Sequence, residues 1–376
     1  MERAPPAYTQ DRSLEIQRPA RLLVFTDGVF CAEGSLLALP EGVELVRFAD
    51  AGPDEAKAIV ARLGTAVNHG RHLFAPLNDA TLSDGVFLRV AADTVVEQPI
   101  QIAWLTSGRA DALGITQRLL VDMGAHSQAT VVETFANTET GGVAFTNGIT
   151  ELLLAEGAQL NHNRLHLEHG RAVHIGGVHA LLGANTNLNS FHLALGSDLK
   201  RIDIVVQHEG QGANCDVNGI YLPRGEEQID YHTCMEHAVP NCTSSENFRG
   251  IIADQAKAIF NGRIHIHPDA QKTRAQLSNK NLLTSNEAEV NTKPELEIYA
   301  DDVQCAHGAT VAQMDATALH YLRTRGVSRA EAQVMLSYGF VNELIDAIPC
   351  AALHTYLKPL LAKRFARSPK LARHLI

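Results

Sequence analysis

The sequence predicts a mainly β protein: a parallel β-helix core between a small N-terminal α/β segment and a C-terminal α-helical domain. Three observations carry this. From about residue 64 to residue 313 there is little helical period, and strand-like pieces alternate with Gly, Asn and Asp. Within that stretch apolar positions recur at a fixed offset from a series of glycines. After residue 314 helical periodicity returns with clear capping signals. The expected divisions are 1–75, 76–312 and 313–376.

The first strands are expected within 21–48: Arg21-Leu-Leu-Val-Phe25, a turn at Asp27-Gly28, then Val29-Phe30-Cys31. Pro53 suits the start of a helix over 54–63, because its fixed φ is already helical and the amide it lacks is not used in the first turn. In the repeat region, Gly124, Gly157, Gly183, Gly196 and Gly212 are followed eight residues later by Val132, Leu165, Phe191, Ile204 and Ile220. Ten residues later stand Thr134, Leu167, Leu193, Val206 and Leu222. Positions two apart share one face of a strand, so these read as an inward-facing pair. Asn163, Asn189 and Asn218, six residues after three of the glycines, read as turn residues that tolerate left-handed backbone. Each rung alone cannot bury its apolar face, and stacking rungs buries a continuous column. A β-sandwich with strands of similar length is the rival.

In the last segment Asp315 caps a helix running through Leu322 and stopped by Gly326. Ser328-Arg-Ala-Glu331 forms a capping box for a second helix. Its apolar face is Val334, Met335, Tyr338, Val341, Ile345 and Ile348, and Pro349 ends it. A third helix is expected over 351–366. The three helices would cap an open end of the solenoid.

Apolar residues are 45% and charged residues 20% of the 376, values of a soluble folded chain. No apolar run is long enough to span a membrane. Met1 to Pro19 lacks the apolar core of a secretory signal, so the cytoplasm is the expected compartment. The net charge of −10 disfavours nucleic acid as a partner. The basic run Lys358, Lys363, Arg364, Arg367, Lys370 and Arg373 reads as a solvated last helix. Cys31, Cys215, Cys234, Cys242, Cys305 and Cys350 are dispersed with no C-x-x-C pair, and so read as free thiols.

Cys305-Ala-His307 follows an alternating stretch, so its thiol and imidazole should share one strand face. Together they suit a soft or borderline metal, but two ligands do not close a site. The pair therefore reads as half of a shared site, with an imidazolium neighbour favouring the thiolate. His265 and His267 repeat the spacing. His232, Cys234 and Glu236 alternate on another strand, with His237 adjacent. His162, His166, His169, His174 and His179 crowd the middle rungs. For all of these a solvent-face or turn position is the plainer reading. No phosphate-binding loop, H-E-x-x-H or G-x-S-x-G is present. Asp301-Asp302 and Glu226-Glu227 would point to opposite strand faces, which argues against an acid–base pair. The chain is therefore expected not to be an enzyme.

The run Asn281-Leu-Leu-Thr, Ala288 to Val303, Cys305-Ala-His-Gly-Ala-Thr-Val311, Leu319 to Gly326 and Ala332 to Phe340 resembles the SufB/SufD family of iron–sulfur cluster assembly proteins, SufD more than SufB. Looser similarity reaches back through Phe260-Asn-Gly262 to about residue 20. The resemblance implies a right-handed parallel β-helix, pairing with a SufB-like subunit across its end, and docking of a SufC-like ATPase on the C-terminal helices. The apolar side chains Leu319, Tyr321, Leu322, Met335, Tyr338 and Phe340 are the docking residues so implied. Cys305 and His307 match positions credited with building a transient iron–sulfur cluster at the SufB–SufD interface. A reduced flavin is associated with the assembled complex in the family; nothing in the sequence locates it. The family's N-terminal helical segment with its aromatic-rich motif is not found in Met1 to Pro19. The expected function is a non-catalytic scaffold. A purely structural partner without metal contact and a polysaccharide-active β-helix enzyme are the alternatives. An open β-helix end also invites self-pairing.

Overall fold

The computed structural model describes residues 21–36, 38–107, 113–137 and 143–365, together with Ile16. The remainder of Met1 to Pro19, the basic residues Arg367, Lys370 and Arg373, and residue 366 of the third expected helix lie outside them.

Alternation builds the strands. In Lys257–Ile266 every second residue, from Ala258 to Ile266, is buried, as a pleat with one face on a core requires. The first sheet holds, in spatial order, β2 (Val29–Phe30), β1 (Arg21–Thr26), β5 (Ile100–Thr106), β7 (Gln128–Asn137), β9 (Gln159–His166), β11 (Asn187–Leu195), β13 (Asn214–Leu222), β15 (Thr243–Ile252), β17 (Arg274–Leu283) and β19 (Gln304–Gln313). The second holds β3 (Val43–Arg47), β4 (Val86–Val90), β6 (Leu113–Met123), β8 (Ala144–Leu154), β10 (Ala172–Leu182), β12 (Leu199–His208), β14 (Gln228–His237), β16 (Lys257–Ile266) and β18 (Glu289–Ile298). From β4 onward consecutive strands alternate between sheets. Apart from β1–β2 and β3–β4, the ladders are parallel. The result is a parallel β-solenoid of about 7 turns, which excludes the antiparallel sandwich.

Ladder partners one coil apart are 27 residues apart at Asn187–Asn214 and 31 apart at Thr243–Arg274. This unevenness blurs the repeat in the sequence. It also corrects one expectation. Val132, Leu165, Phe191 and Ile220 face outward from the first sheet into a cluster shared with the C-terminal helices, whereas Ile204 faces the solenoid interior. Leu165 is in register with Leu193, so the two offsets belong to one ladder. Asn163, Asn189 and Asn218 lie within strands rather than turns. Left-handed backbone falls instead on residues such as Asn185 and Asn241.

The interior is an aromatic and aliphatic stack. Phe25 lies 4.6 Å from Trp104, and Phe248 lies 4.9 Å from Phe260, centroid to centroid. Gly148 and Gly176 are neighbours on β8 and β10. A Cβ on Gly176 would fall 1.9 Å from the Gly148 carbonyl oxygen. This bare stretch of wall leaves room for the buried Arg164 guanidinium, which donates to that carbonyl at 3.0 Å.

Helix α1 (Pro53–Arg62) begins at Pro53 as expected. Helix α2 (Phe74–Thr81) was not legible. It is eight residues long, contains Pro76 and has no side-chain cap. Tertiary bonds hold it: the Asn78 amide donates to the carbonyls of Gln117 at 3.2 Å and Asn147 at 2.9 Å. In α3 (Ala316–Thr324) Asp315 accepts from the Thr317 amide at 2.8 Å. The capping box of α4 (Arg329–Asp346) is formed by Ser328 and Glu331. Helix α5 (Ala351–Phe365) follows.

The helices do not close an end of the solenoid, contrary to the expectation from sequence. Helices α4 and α5 lie along the outer face of the first sheet. Leu193, Ile220 and Ile251 from the sheet pack with Val341, Ile345, Leu357 and Leu361 from the helices. Left uncovered, each such side chain would forgo about 1.5–3 kcal/mol of burial. Arg249 fastens the contact by donating to the Phe340 carbonyl at 2.6 Å and pairing with Glu343.

The two ends differ. At the N-terminal end the antiparallel strands β2 and β3 finish the sheets. At the other end β18 and β19 are the sheet edges among the described residues.

Candidate functional site

Cys305 and His307 lie on β19, in register with Ala275 and Leu277 of β17. Both of those neighbours belong to the interior core, so the pair occupies the inward face of the last rung. Cys305 is half-buried and packs against the core, while His307 is exposed. Val311 on the same face is 48% exposed, and Ile298, in register with interior Ile266, is 41% exposed. The end of the solenoid thus presents a cross-section of its own core, with a thiol and an imidazole set in it. Burial pushes the Cys305 thiol up, with a backbone hydrogen bond at Ala275 opposing. The expected depression of this thiol by an imidazolium neighbour is therefore not seen.

The middle-rung histidines separate by face. His162, His166 and His174 are fully buried inside, His179 is buried on the outer side of the second sheet near α2, and His169 is exposed. Of the interior ones, His174 meets Glu168 at 2.7 Å, His166 stacks on Phe135 at 4.9 Å with neither ring nitrogen hydrogen-bonded, and His162 belongs to a polar chain. Glu133 takes hydrogen bonds from Thr150 at 2.7 Å and Trp104 at 3.3 Å, and meets His162 at 2.9 Å. His162 continues to Ser190 and on to His192. Burial alone would raise the Glu133 carboxyl; Arg164 and His162 outweigh it and hold it at about 2. Glu168 behaves alike, burial being outweighed by His174 and Lys200.

Glu246 is the opposite case. Burial pushes this interior carboxyl up to about 8, with the neighbouring Thr233 hydroxyl opposing. A raised folded pKa means that its contribution is whole below the unfolded value, about 4.5, and is lost as pH rises through about 8. Glu246→Gln should therefore gain on the parent by about 1.4 kcal/mol per pH unit between those limits. Denaturant unfolding of both proteins across pH checks this, and a pH-independent difference would contradict it.

On the outer face of the second sheet, Glu236 of β14 stands in register with His265 of β16. Its Oε1 is 3.2 Å from His265 Nδ1 and 3.8 Å from His267 Nε2. Sequence spacing singled out both fragments separately; only the register joins them. His232 turns instead to Asp230 at 3.0 Å, and His237 faces inward to Ser244 at 2.9 Å. Cys234 receives Arg263 Nη2 at 3.3 Å. Cys234, Glu236 and Arg263 border a cavity of about 530 Å³ roofed by the segment around Arg71 to Ala75.

Of the C-terminal side chains, Tyr321 is 56% and Met335 38% exposed. Leu319 and Leu322 are half-buried. Tyr338 and Phe340 pack against the cluster under the helices, Tyr338 with its ring 6.5 Å from Phe365. No helix among the described residues is long and apolar enough to cross a membrane. All six cysteines are free.

Residues 105–340 match the family model described as SUF system FeS cluster assembly, SufBD core domain. An iron–sulfur cluster assembly SufBD family protein of Synechocystis is 28% identical over 350 residues, 91% of this chain and 77% of that protein. The iron–sulfur cluster assembly protein SufD of Escherichia coli is 36% identical over 228 residues, 61% of this chain and 54% of that protein. A chloroplastic protein of Arabidopsis thaliana is 26% identical over 356 residues, 92% of this chain and 74% of that protein. The match thus spans about half the length of the E. coli protein.

Proposed function

The chain belongs to the SufBD core family of the SUF iron–sulfur cluster assembly system, and from that premise we propose that it is a non-catalytic scaffold subunit of a Suf-type complex. The observation that carries the proposal is the end of the solenoid where β19, an edge strand among the described residues, sets Cys305 and His307 among exposed core-type side chains. An open sheet edge with apolar residues is a template for pairing. A SufB-like subunit docks there, and the two chains together supply ligands to the nascent cluster, which is cargo rather than a resident group. Cys305 as thiolate and His307 as neutral imidazole give this chain's share. A SufC-like ATPase docks on the C-terminal helices, where Tyr321, Met335, Leu319 and Leu322 offer apolar surface; Tyr338 and Phe340 support that surface from beneath. Six free cysteines suit a thiol-reducing compartment such as the cytoplasm.

Co-purification tests the assembly. Tagged SufB-like and SufC-like partners should each recover the chain. Ile298→Asp with Val311→Asp should cut recovery by the SufB-like partner at least about tenfold, and Tyr321→Asp with Met335→Asp should do the same for the SufC-like partner. Recovery by neither partner would overturn the proposal. The half-burial of Cys305 favours a second reading, in which the end rung only holds the partner and touches no metal.

A further inference from the structure

We propose that Glu236, His265 and His267 bind one first-row divalent cation, of the class of ferrous iron or zinc, on the outer face of the second sheet. The site is separate from Cys305 and His307 and does not depend on the scaffold reading. Two ligands each about 2.1 Å from a shared ion lie about 3.0–3.4 Å apart in octahedral or tetrahedral geometry. Glu236 Oε1 is 3.2 Å from His265 Nδ1 and 3.8 Å from His267 Nε2, and the ligand atoms of all three lie within 4.8 Å of one another. Little movement is needed to receive an ion. The scaffold beneath is rigid: Glu236 and His265 are ladder partners in adjacent strands, and His267 follows β16 directly.

The donor set is two imidazoles and one carboxylate, the combination that holds divalent iron with open positions. Room for further ligands comes from two sides: Glu236 borders the cavity of about 530 Å³, and the His267 side chain is 40% exposed to water. Arg71, half exposed, reaches Glu236 Oε1 at 3.4 Å and acts as counter-ion when no metal is bound. On a long, exposed side chain it can swing away. A second triad, His166, Glu168 and His174, is less suited to a cation. It is sealed inside the solenoid, and Lys200 Nζ already stands 3.7 Å from its carboxylate.

The test is titration of the full chain with ferrous iron under anaerobic conditions, and separately with zinc. Cys305→Ala and His307→Ala are introduced in a parallel sample to remove the donors at the end of the solenoid. The expected result is one ion per chain in both samples. His265→Ala with His267→Ala should weaken binding at least about 100-fold, more than loss of an outer-shell partner would. Arg71→Ala should tighten it. Circular dichroism and thermal unfolding confirm that the variants fold. The proposal is overturned if neither ion binds, if the histidine variant binds as the parent does, or if binding disappears with Cys305 and His307.

Discussion

Glu151→Ala should lower the stability of the fold by about 3–5 kcal/mol, as read from denaturant unfolding. Glu151 and Arg118 are both fully buried and meet at 2.7 Å. The carboxylate also accepts the amides of Gly64 at 2.9 Å and Ala66 at 3.2 Å. Arg118 reaches on to Asn78 at 2.9 Å and Asp79 at 3.0 Å. One ion pair thus ties the loop after α1 and the whole of α2 to the second sheet. Deleting the carboxylate leaves two amides unpaired and leaves the buried guanidinium with Asn78 and the partly exposed Asp79 alone, its Nε and Nη2 losing their acceptor, and buried donors without an acceptor are costly. Replacing both members, with Arg118→Met and Glu151→Leu, should cost less than the single change, because no buried charge then remains and Asp79, which loses Arg118, is 40% exposed to water. A loss below about 1 kcal/mol for Glu151→Ala would contradict this and show that Asp79, Asn78 or entering water satisfies Arg118.

The elements whose signals are local were readable in the sequence. Pro53 opens α1, Ser328 and Glu331 close a capping box, and Asp315 caps α3. The solenoid was readable too, because period-two alternation and recurring glycines survive uneven coils. What depends on register was not. The glycine offsets mixed two sheets, since Gly196 precedes β12 in one and Gly212 precedes β13 in the other. The outward pairs of the first sheet therefore read as inward-facing, like Ile204 and Val206 of the second, and the helices read as free to sit on an end. Helix α2 was hidden because tertiary bonds to Asn78 hold it rather than a cap or a strong apolar period. At the site, Cys305 and His307 were correctly placed on one strand face by their spacing. The exposed end around them, and the half-burial that raises the thiol, follow only from β19 being the last strand among the described residues. Glu236 could not be joined to His265 from spacing, as 29 residues separate them.

Replacing Cys305 and His307 together by alanine should reduce cluster formation by at least about tenfold without dispersing the complex. The physical ground is ligand supply. Iron–sulfur clusters take four protein ligands as a rule, and a shared site missing two of them is left with half its bonds. Because burial holds the Cys305 thiol above its ordinary value, it is protonated at neutral pH in the free chain. Metal binding must displace that proton, so the contribution of Cys305 should grow as pH rises. Gln304→Ala, on the opposite face of β19, should change nothing. The deciding measurement is anaerobic cluster assembly by the reconstituted complex of this chain with its SufB-like and SufC-like partners, supplied with ferric iron and sulfide and followed by visible absorption. A yield cut at least about tenfold in the double variant, with the complex intact, is the predicted result. An unchanged yield would contradict it and leave this chain a structural partner alone.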